Sequence, residues 1–516
     1  MYTHPEWLKK ACFYEIYPQS FLDTNGDGIG DLAGIIKKLD YIKSLGFNAL
    51  WINPIFESPF YDAGYDVTDF YKVAKRYGTN ELCYTLFSEC HKRGIKVLLD
   101  LVPGHTSIES KWFKESCDND HNEFSDRYIW TKSVWDATED IPCIRGFTKR
   151  SGSVATNFFS IQPALNYGFG EVKNPNYEEK ITDKGPQKTI QSMIDVILFW
   201  LGKGCDGFRC DMAGWLVKRD AFCADTIKVW QQIFSSVKEK YPESAFVSEW
   251  NDPEKSLLAG FNMDFLLQDG YTKYNNAMTR SDKPYFRFTE KDSNALTFLD
   301  HFEIVQSFGK ERQDYVSMIS GNHDTDRIKK WLTDEELKFY YTFMYTIPNV
   351  PFMYYGDEIG MNYLDNLESV EGGYQRTGTR TPMQWNSASK AGFTKANSSY
   401  IKVNPDYRKI NVEKQENNDS SLLSFVKKLL SCKNTETALD NDASFKLLPL
   451  KRKDSALAYI REKEGQKVLV VINPRLEEET FENIAVSNDV LLQIGSFNID
   501  SGKLVISPKS LIILKL

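Results

Sequence analysis

Short apolar segments alternate with amphipathic helical segments over most of the chain, and this alternation restricts the fold more than any other feature. Strands separated by helices form parallel sheets. No Gly-x-Gly-x-x-Gly turn opens an early helix, so the α/β pattern favours a closed (β/α)8 TIM barrel over an open doubly wound sheet. Eight strands are predicted, at residues 13–18, 49–53, 96–102, 206–211, 245–249, 262–266, 315–320 and 350–355.

Two stretches depart from this alternation. Residues 103–167 are polar and contain Asp-Asn-Asp and Ser-Gly-Ser, which predicts an inserted domain after strand 3. Beyond residue 435 the pattern changes to short β runs separated by turn signals. We therefore predict a barrel from residues 1–102 and 168–435, an inserted domain at 103–167 and a C-terminal antiparallel β domain at 436–516.

The charge balance limits the partners of the chain. It has 63 Lys and Arg against 71 Asp and Glu, a formal net charge of −8, which offers no field to attract nucleic acid. No apolar run approaches the roughly 20 residues that span a bilayer, so no membrane partner is expected. The first ten residues include Glu6, Lys9 and Lys10 instead of an uninterrupted apolar segment, which predicts a cytoplasmic protein.

Several predicted strands end in polar residues. Asp100 closes the third strand, Asp211 the fourth and Glu249 the fifth, and an Asn-His-Asp segment ending in Asp324 follows the seventh. The carboxyl ends of barrel strands meet at one mouth, where active sites lie. Without a strong metal motif, Asp211, Glu249 and Asp324 suit acid–base and nucleophilic work on a neutral polar substrate. Cleavage of a glycoside requires such a division of roles.

These segments resemble the conserved regions of the α-amylase superfamily, glycoside hydrolase family 13. The matching stretches are Asp-Leu-Val-Pro-Gly-His at 100–105, Gly-Phe-Arg-Cys-Asp at 207–211, Glu249, and Asn-His-Asp at 322–324, in the family's order. Residues 13–18, 64–66, 351–360 and 380–385 extend the resemblance over nearly the whole chain. The sequence is most similar to the oligo-1,6-glucosidase and α-glucosidase branch.

The resemblance implies a retaining mechanism. Asp211 would attack the anomeric carbon and form a β-glucosyl ester, while Glu249 would protonate the leaving oxygen and then deprotonate water. Their carboxyl groups should lie about 5 to 5.5 Å apart. Arg209 would keep the nucleophile ionised, and Asp324 would bind the 2- and 3-hydroxyls. Asp100 is expected to have a structural role.

The resemblance also implies a set of substrate-binding residues. His105 and His323 would bind sugar hydroxyls, and Tyr65 would stack on the sugar in the cleavage subsite. Asp62 would bind the non-reducing-end hydroxyl, together with Arg380. A pocket closed in this way favours removal of single units from short chains.

The first βα loop carries oxygen donors at every second residue, the spacing of a calcium loop. An EF-hand would need a Glu at residue 34, which is Gly, so the loop is not an EF-hand. Close relatives in the resembled family hold a structural calcium ion here, so we predict Ca²⁺ and no organic cofactor. The predicted ligands are Asp23, Asn25, Asp27, the Ile29 carbonyl and Asp31.

The leading prediction is a retaining hydrolase of short α-linked gluco-oligosaccharides. An endo-acting α-amylase on α-1,4-glucans and a transglycosidase such as a sucrose isomerase or trehalose synthase stay open. Met212, which follows the nucleophile, does not match the residues typical of either α-1,6 or α-1,4 cleavage, so the linkage is also open. A non-catalytic transporter heavy chain is disfavoured, because all three carboxylates are present and no membrane anchor is seen.

Overall fold

The structure is a computed structural model that describes residues 4–136, 140–267, 283–289, 293–312, 314–450, 452–482, 484, 488–500 and 502–516. Within these ranges no helix combines the length and the apolar character needed to cross a membrane.

Eight parallel strands form the central sheet, and each lies inside one of the predicted segments. Neighbouring strands pair in chain order, β8 pairs with β1, and a single parallel bridge between Ile319 and Phe352 nearly closes the sheet between β7 and β8. The predicted TIM barrel is confirmed. The strands are β1 (Phe13–Ile16), β2 (Ala49–Ile52), β3 (Lys96–Leu101), β4 (Gly207–Cys210), β5 (Ala245–Ser248), β6 (Met263–Leu266), β7 (Tyr315–Met318) and β8 (Phe352–Tyr354).

Strand residues alternate between two cores because successive side chains point to opposite faces of a sheet. Phe13, Trp51 and Phe352 belong to a cluster inside the barrel. Phe208 and Cys210 belong to the larger core between the strands and the surrounding helices. Arg209, between them in sequence, therefore faces the barrel interior.

The helices surround the barrel and connect its strands. Residues 32–45 form two consecutive helices, because Lys38 leaves helical geometry at φ −107° and ψ 5°. The break lasts one residue, so the apolar side chains keep a common face. The described helices are Leu32–Lys37, Leu39–Leu45, Asn80–Lys92, Lys111–Ser116, Lys184–Gly202, Ala224–Lys240, Pro253–Ala259, Leu296–Arg312, Asp334–Thr346, Val412–Glu416 and Leu422–Thr435.

Two regions add to the barrel. Between β3 and β4, Cys143–Arg145 pairs antiparallel with Ser153–Ala155. A second hairpin, Phe56–Glu57 with Asp69–Val73, follows β2. The C-terminal part forms antiparallel sheets, as predicted, from Ser444–Leu447, Leu457–Lys463, Gln466–Asn473, Glu479–Glu482, Asp489–Ile494, Phe497–Asp500, Lys503–Ile506 and Ser510–Lys515.

A buried arginine joins the C-terminal sheet to the barrel. The Arg461 guanidinium donates to the carbonyl of Thr346 at the end of a barrel helix and to those of Asp440, Ala443 and Ser444. Each of these carbonyls would otherwise lose a buried hydrogen bond. The two parts are thus docked by a specific polar contact as well as by apolar packing.

Candidate active site

One buried arginine joins three strand ends at the barrel mouth. Arg209 Nη1 lies 2.9 Å from Asp100 Oδ1 and 2.9 Å from Asp211 Oδ1, and Nη2 lies 2.7 Å from Glu249 Oε2. Asp211 and Glu249 therefore lie side by side against one guanidinium. Asp211 is 8% exposed, so the pair opens to solvent only at the mouth.

The backbone after the nucleophile candidate also contacts the acid candidate. The Met212 N–H donates to Glu249 Oε2 at 3.1 Å. Met212 has φ +42° and ψ 46°, the left-handed region that residues with a side chain rarely adopt. Strain of this kind accumulates at functional sites.

Burial and neighbouring charges change the acidity of Asp211. Burial raises the pKa of Asp211 well above its usual value; Arg209 opposes this, while Glu249 and Asp100 add to it. Arg209 is therefore the contact that favours an ionised Asp211, against burial and the neighbouring carboxyl groups.

A second centre forms around His323. Its Nε2 lies 3.1 Å from Asp324 Oδ2 and 2.7 Å from the Tyr65 hydroxyl, and its Nδ1 lies 3.1 Å from Glu15 Oε1. Burial would lower the pKa of His323, but Asp324 and Glu15 raise it to about 9. Burial works against ionisation of Asp324 too, yet His323 and the arginines beside it hold the Asp324 pKa well below its usual value. His323 is thus a buried cation beside an ionised carboxylate at neutral pH.

Tyr65 connects the two centres. Its hydroxyl donates to Asp100 Oδ2 at 3.0 Å, and its ring stacks on the His323 ring with centroids 5.2 Å apart. Trp51 Nε1 also donates to Asp100 Oδ2, at 3.1 Å. The structural role predicted for Asp100 takes this form: it holds Arg209, Tyr65 and Trp51 together through side-chain bonds.

The far end of the site holds Asp62, but with a different arginine from the predicted one. Arg376 Nη2 lies 3.6 Å from Asp62 Oδ1, and Gln162 Nε2 donates to Asp62 Oδ2 at 2.8 Å. Arg380 instead donates to Asp324 Oδ1 and to the His323 carbonyl, both at 2.8 Å. Sequence reasoning missed Arg376 and Gln162.

The loop that carries Arg376 packs over Asp62. Arg376 donates to Asp324 Oδ1 and to the Gly372 carbonyl, both at 2.8 Å. Glu371 anchors the same loop by accepting from Arg76 and from the Tyr400 hydroxyl, each at 2.8 Å. This side of the mouth is therefore closed by a fixed loop.

His105 lies at the edge of the same site. Its Nε2 lies 3.0 Å from the Tyr65 carbonyl, and its Nδ1 lies 3.3 Å from the Asn157 amide. Burial lowers the pKa of His105 to about 4, so it is neutral where His323 is charged. Asn157 also accepts from Lys218 Nζ at 2.7 Å, which links His105 to the opposite side of the mouth.

That opposite side is open. A cavity of about 640 Å³ is lined by residues that include Asn157, Phe158, Trp215, Lys218 and Trp250. Trp215 is 65% exposed. Aromatic faces and hydrogen-bonding side chains are the surfaces that sugar rings contact, and the volume lies in the range of small-molecule sites.

The structure describes every residue of the predicted calcium loop, residues 23–31. Asp23 accepts from the Gly26 and Gly28 N–H groups at 2.7 and 2.8 Å, and Asp31 accepts from the Gly34 N–H at 2.7 Å as the cap of a helix. In the described ranges, no three His, Cys, Asp or Glu side chains are grouped to hold a metal ion. The donor set consists of oxygen atoms only, which suits Ca²⁺. Each carboxylate oxygen that accepts a loop N–H keeps a second lone pair for a metal ion. Calcium binding at this loop stays a prediction.

A model of the alpha-amylase catalytic domain matches residues 15–442. The chain belongs to the alpha-amylase family. It is similar to alpha-amylase 3 of Dictyoglomus thermophilum, 31% identical over 100% of this chain and 95% of that protein. It is also similar to the oligo-1,6-glucosidase of Heyndrickxia coagulans, 30% identical over 96% of this chain and 97% of that protein.

A solved structure resembles this chain over nearly its whole length. An isomaltulose synthase mutant from Erwinia rhapontici NX5, in complex with its natural substrate sucrose, gives a TM-score of 0.80 at 28% identity, with 99% of both chains covered. The predicted family and the glycoside hydrolase class are confirmed, and the substrate is a carbohydrate. The roles assigned to individual residues stay predictions.

The two histidines should titrate at opposite extremes. As the pH rises, we expect the His323 imidazole to lose its proton only at about pH 9. As the pH falls, we expect the His105 imidazole to gain a proton only at about pH 4. Because the His323 pKa exceeds its unfolded value, its stabilising contribution is present below about pH 6.5 and is lost as the pH rises through 9. Nitrogen-15 NMR of histidine-labelled protein measures both, with His323→Gln and His105→Gln assigning the signals. Titration of both near pH 6.5 would contradict the buried network.

Proposed function

We propose that the protein is a retaining α-glucosidase that removes glucose from short α-linked gluco-oligosaccharides through a covalent β-glucosyl ester on Asp211. The observation that carries this proposal is the contact of Asp211 and Glu249 with the two Nη atoms of one buried guanidinium. This contact supports the short carboxyl separation of a retaining enzyme, about 5 to 5.5 Å, over the wider one that lets an inverting enzyme place a water between the groups.

The chemistry follows in two steps. Asp211 attacks the anomeric carbon as the glycosidic bond breaks, and Glu249 transfers its proton to the departing oxygen. Water then attacks the ester, Glu249 takes the proton from that water, and Asp211 leaves as a carboxylate. Arg209 balances the charge that moves between the two carboxylates. Two inversions restore the α configuration.

The closed end of the site supports removal of single terminal units. Asp62 lies under the loop of Gly372 and Arg376, and a Cβ at residue 372 would come within 2.8 Å of the Tyr61 carbonyl. A glucan chain cannot continue through backbone packed this tightly. The cavity beside Trp250 gives the leaving sugar its room on the other side.

Transglycosylation is the second candidate, because the structural likeness to an isomaltulose synthase extends over nearly the whole chain. Both reactions use the same ester and differ in the acceptor that reaches it. In hydrolysis the acceptor is water; in isomerisation it is the leaving sugar, retained in the open cavity. Hydrolysis is favoured because the cavity beside Trp250 is open to solvent, as the 65% exposure of Trp215 shows.

Product analysis tests the proposal. We expect glucose as the first product from maltose, isomaltose or maltoheptaose, released as the α anomer in proton NMR spectra taken during the first turnovers. Release of the β anomer would refute retention. Maltoheptaose cut first to intermediate lengths would establish an endo-amylase instead, and an isomeric disaccharide formed from sucrose would establish a transglycosidase.

Removal of either central carboxylate should abolish turnover without unfolding the chain. Loss of a catalytic acid, base or nucleophile costs at least about 100-fold in kcat, so we expect that loss in Asp211→Asn and in Glu249→Gln. Asp206→Asn is the matched control, because Asp206 lies at the opposite end of β4 and binds Lys96. Melting curves check folding. Near-normal kcat in either variant would contradict the assignment.

We also propose that the loop of residues 23–31 binds a structural Ca²⁺ ion. A cation that binds the folded chain raises its stability by mass action. We expect EDTA to lower Tm and added Ca²⁺ to restore it, with a smaller response in Asp27→Asn, whose carboxylate binds loop N–H and amide groups without capping a helix. Calorimetry measures both. An unchanged Tm in EDTA would contradict the calcium site and indicate that the loop is held by its own hydrogen bonds.

A further inference from the structure

Asp264 is a fully buried carboxyl group in the wall of the barrel. It lies in β6, whose other residues, Met263, Phe265 and Leu266, are apolar. The register pairs Asp264 with Ser248, the residue immediately before Glu249. None of the steps proposed above uses it.

One oxygen of Asp264 holds the turn that carries Glu249. Asp264 Oδ1 accepts from the Ser248 hydroxyl at 2.6 Å, from the Trp250 N–H at 3.2 Å and from the Asn251 N–H at 3.3 Å. The donors lie on both sides of Glu249 in the chain. A single oxygen therefore fixes the backbone before and after the acid candidate.

The turn has a conformation that needs such an acceptor. Asn251 is in the left-handed region at φ +60°, and its side-chain oxygen accepts from the Leu267 N–H at 2.9 Å. In this geometry the N–H groups of Trp250 and Asn251 both point to β6. Buried N–H groups without an acceptor are costly, so the turn depends on an oxygen at residue 264.

The second oxygen of Asp264 indicates that the residue is not there for stability alone. Among the described residues, Oδ2 has no hydrogen-bond partner and is out of contact with solvent. Burial raises the pKa of Asp264 to about 8. A buried carboxyl group with one unsatisfied oxygen costs stability that an apolar side chain in the same wall would not.

We infer that Asp264 is a positioning residue that fixes Glu249 at the glycosidic oxygen. Glu249 is held from the other side by its own N–H, which donates to the Cys210 carbonyl at 3.0 Å, and by its carbonyl, which accepts from the Ala213 N–H at 3.2 Å. Asp264 fixes the other side by accepting from the N–H groups of residues 250 and 251. This inference rests on the proposed function, because it requires Glu249 to be the general acid.

Leaving-group dependence distinguishes positioning of the acid from general support of the fold. A nitrophenolate departs without a proton, whereas a sugar needs the proton from Glu249. We therefore expect Asp264→Leu to lower kcat/KM on the fastest-cleaved disaccharide at least about 10-fold more than on p-nitrophenyl α-glucoside. Asp264→Asn keeps an oxygen for the N–H groups, so its ratio of the two kcat/KM values should stay within about threefold of wild type.

Two further variants complete the experiment. Asp314→Leu is the matched control, because Asp314 is a buried carboxylate at the opposite end of the barrel, bound to His4; it should leave the ratio unchanged even where it lowers Tm. Asp264→Ala replaces Asp264→Leu if the leucine variant does not fold, and should shift the ratio in the same direction.

The outcomes separate this inference from the proposed function. An unchanged ratio in folded Asp264→Leu or Asp264→Ala, with wild type cleaving both substrates with retention, overturns the positioning role alone. A wild type that inverts configuration, or that cleaves neither substrate, overturns both, since Asp264 then has no general acid to position. A ratio that shifts equally in Asp314→Leu also overturns the positioning role, because the effect would come from lost stability.

Discussion

The site depends on one buried positive charge. The Arg209 guanidinium faces Asp100, Asp211 and Glu249, so three carboxylates that would repel one another share one cation. Removing charges from water is expensive and is offset only where partners and geometry are complete. The register between β3 and β4, which sets Asp100 beside Arg209, therefore matters as much as the residue types. A slip of one residue would turn the arginine into the outer core.

A second buried cation, His323, lies across the mouth from Arg209. His323 lies between Glu15 and Asp324, and Tyr65 bridges it to Asp100, so a continuous chain of polar side chains crosses the barrel from β1 to β5. Hydrogen bonds in such a low-dielectric network strengthen one another and leave little freedom to its members. The site is thereby built before a substrate arrives, and catalysis needs such preorganisation.

The sequence predicts those parts of the molecule that follow a period or a motif. All eight barrel strands lie where the alternation predicts, and the strand-end residues meet at one mouth because parallel strands share a direction. Arg376 was missed because it lies in a short 3-10 helix, Tyr374–Thr379, where no periodicity tells which of two arginines reaches Asp62. Asp264 did give a signal, as a charged residue within an apolar strand, but its partners come from a turn whose shape depends on the left-handed Asn251.

The two sides of the mouth differ in how they are built, and this difference bears on the reaction. The side of Asp62 is closed by a loop that is fixed through Glu371 and Arg376, whereas the opposite side is a cavity whose wall includes Trp250, Asn251 and Asp252. These residues belong to the turn that Asp264 holds behind Glu249. In the proposed function, the acid Glu249 and the cavity for the acceptor therefore share one piece of backbone. Under that proposal, a change that reshapes the cavity to retain a leaving sugar also moves Glu249, which couples the choice between water and sugar as acceptor to the efficiency of proton transfer.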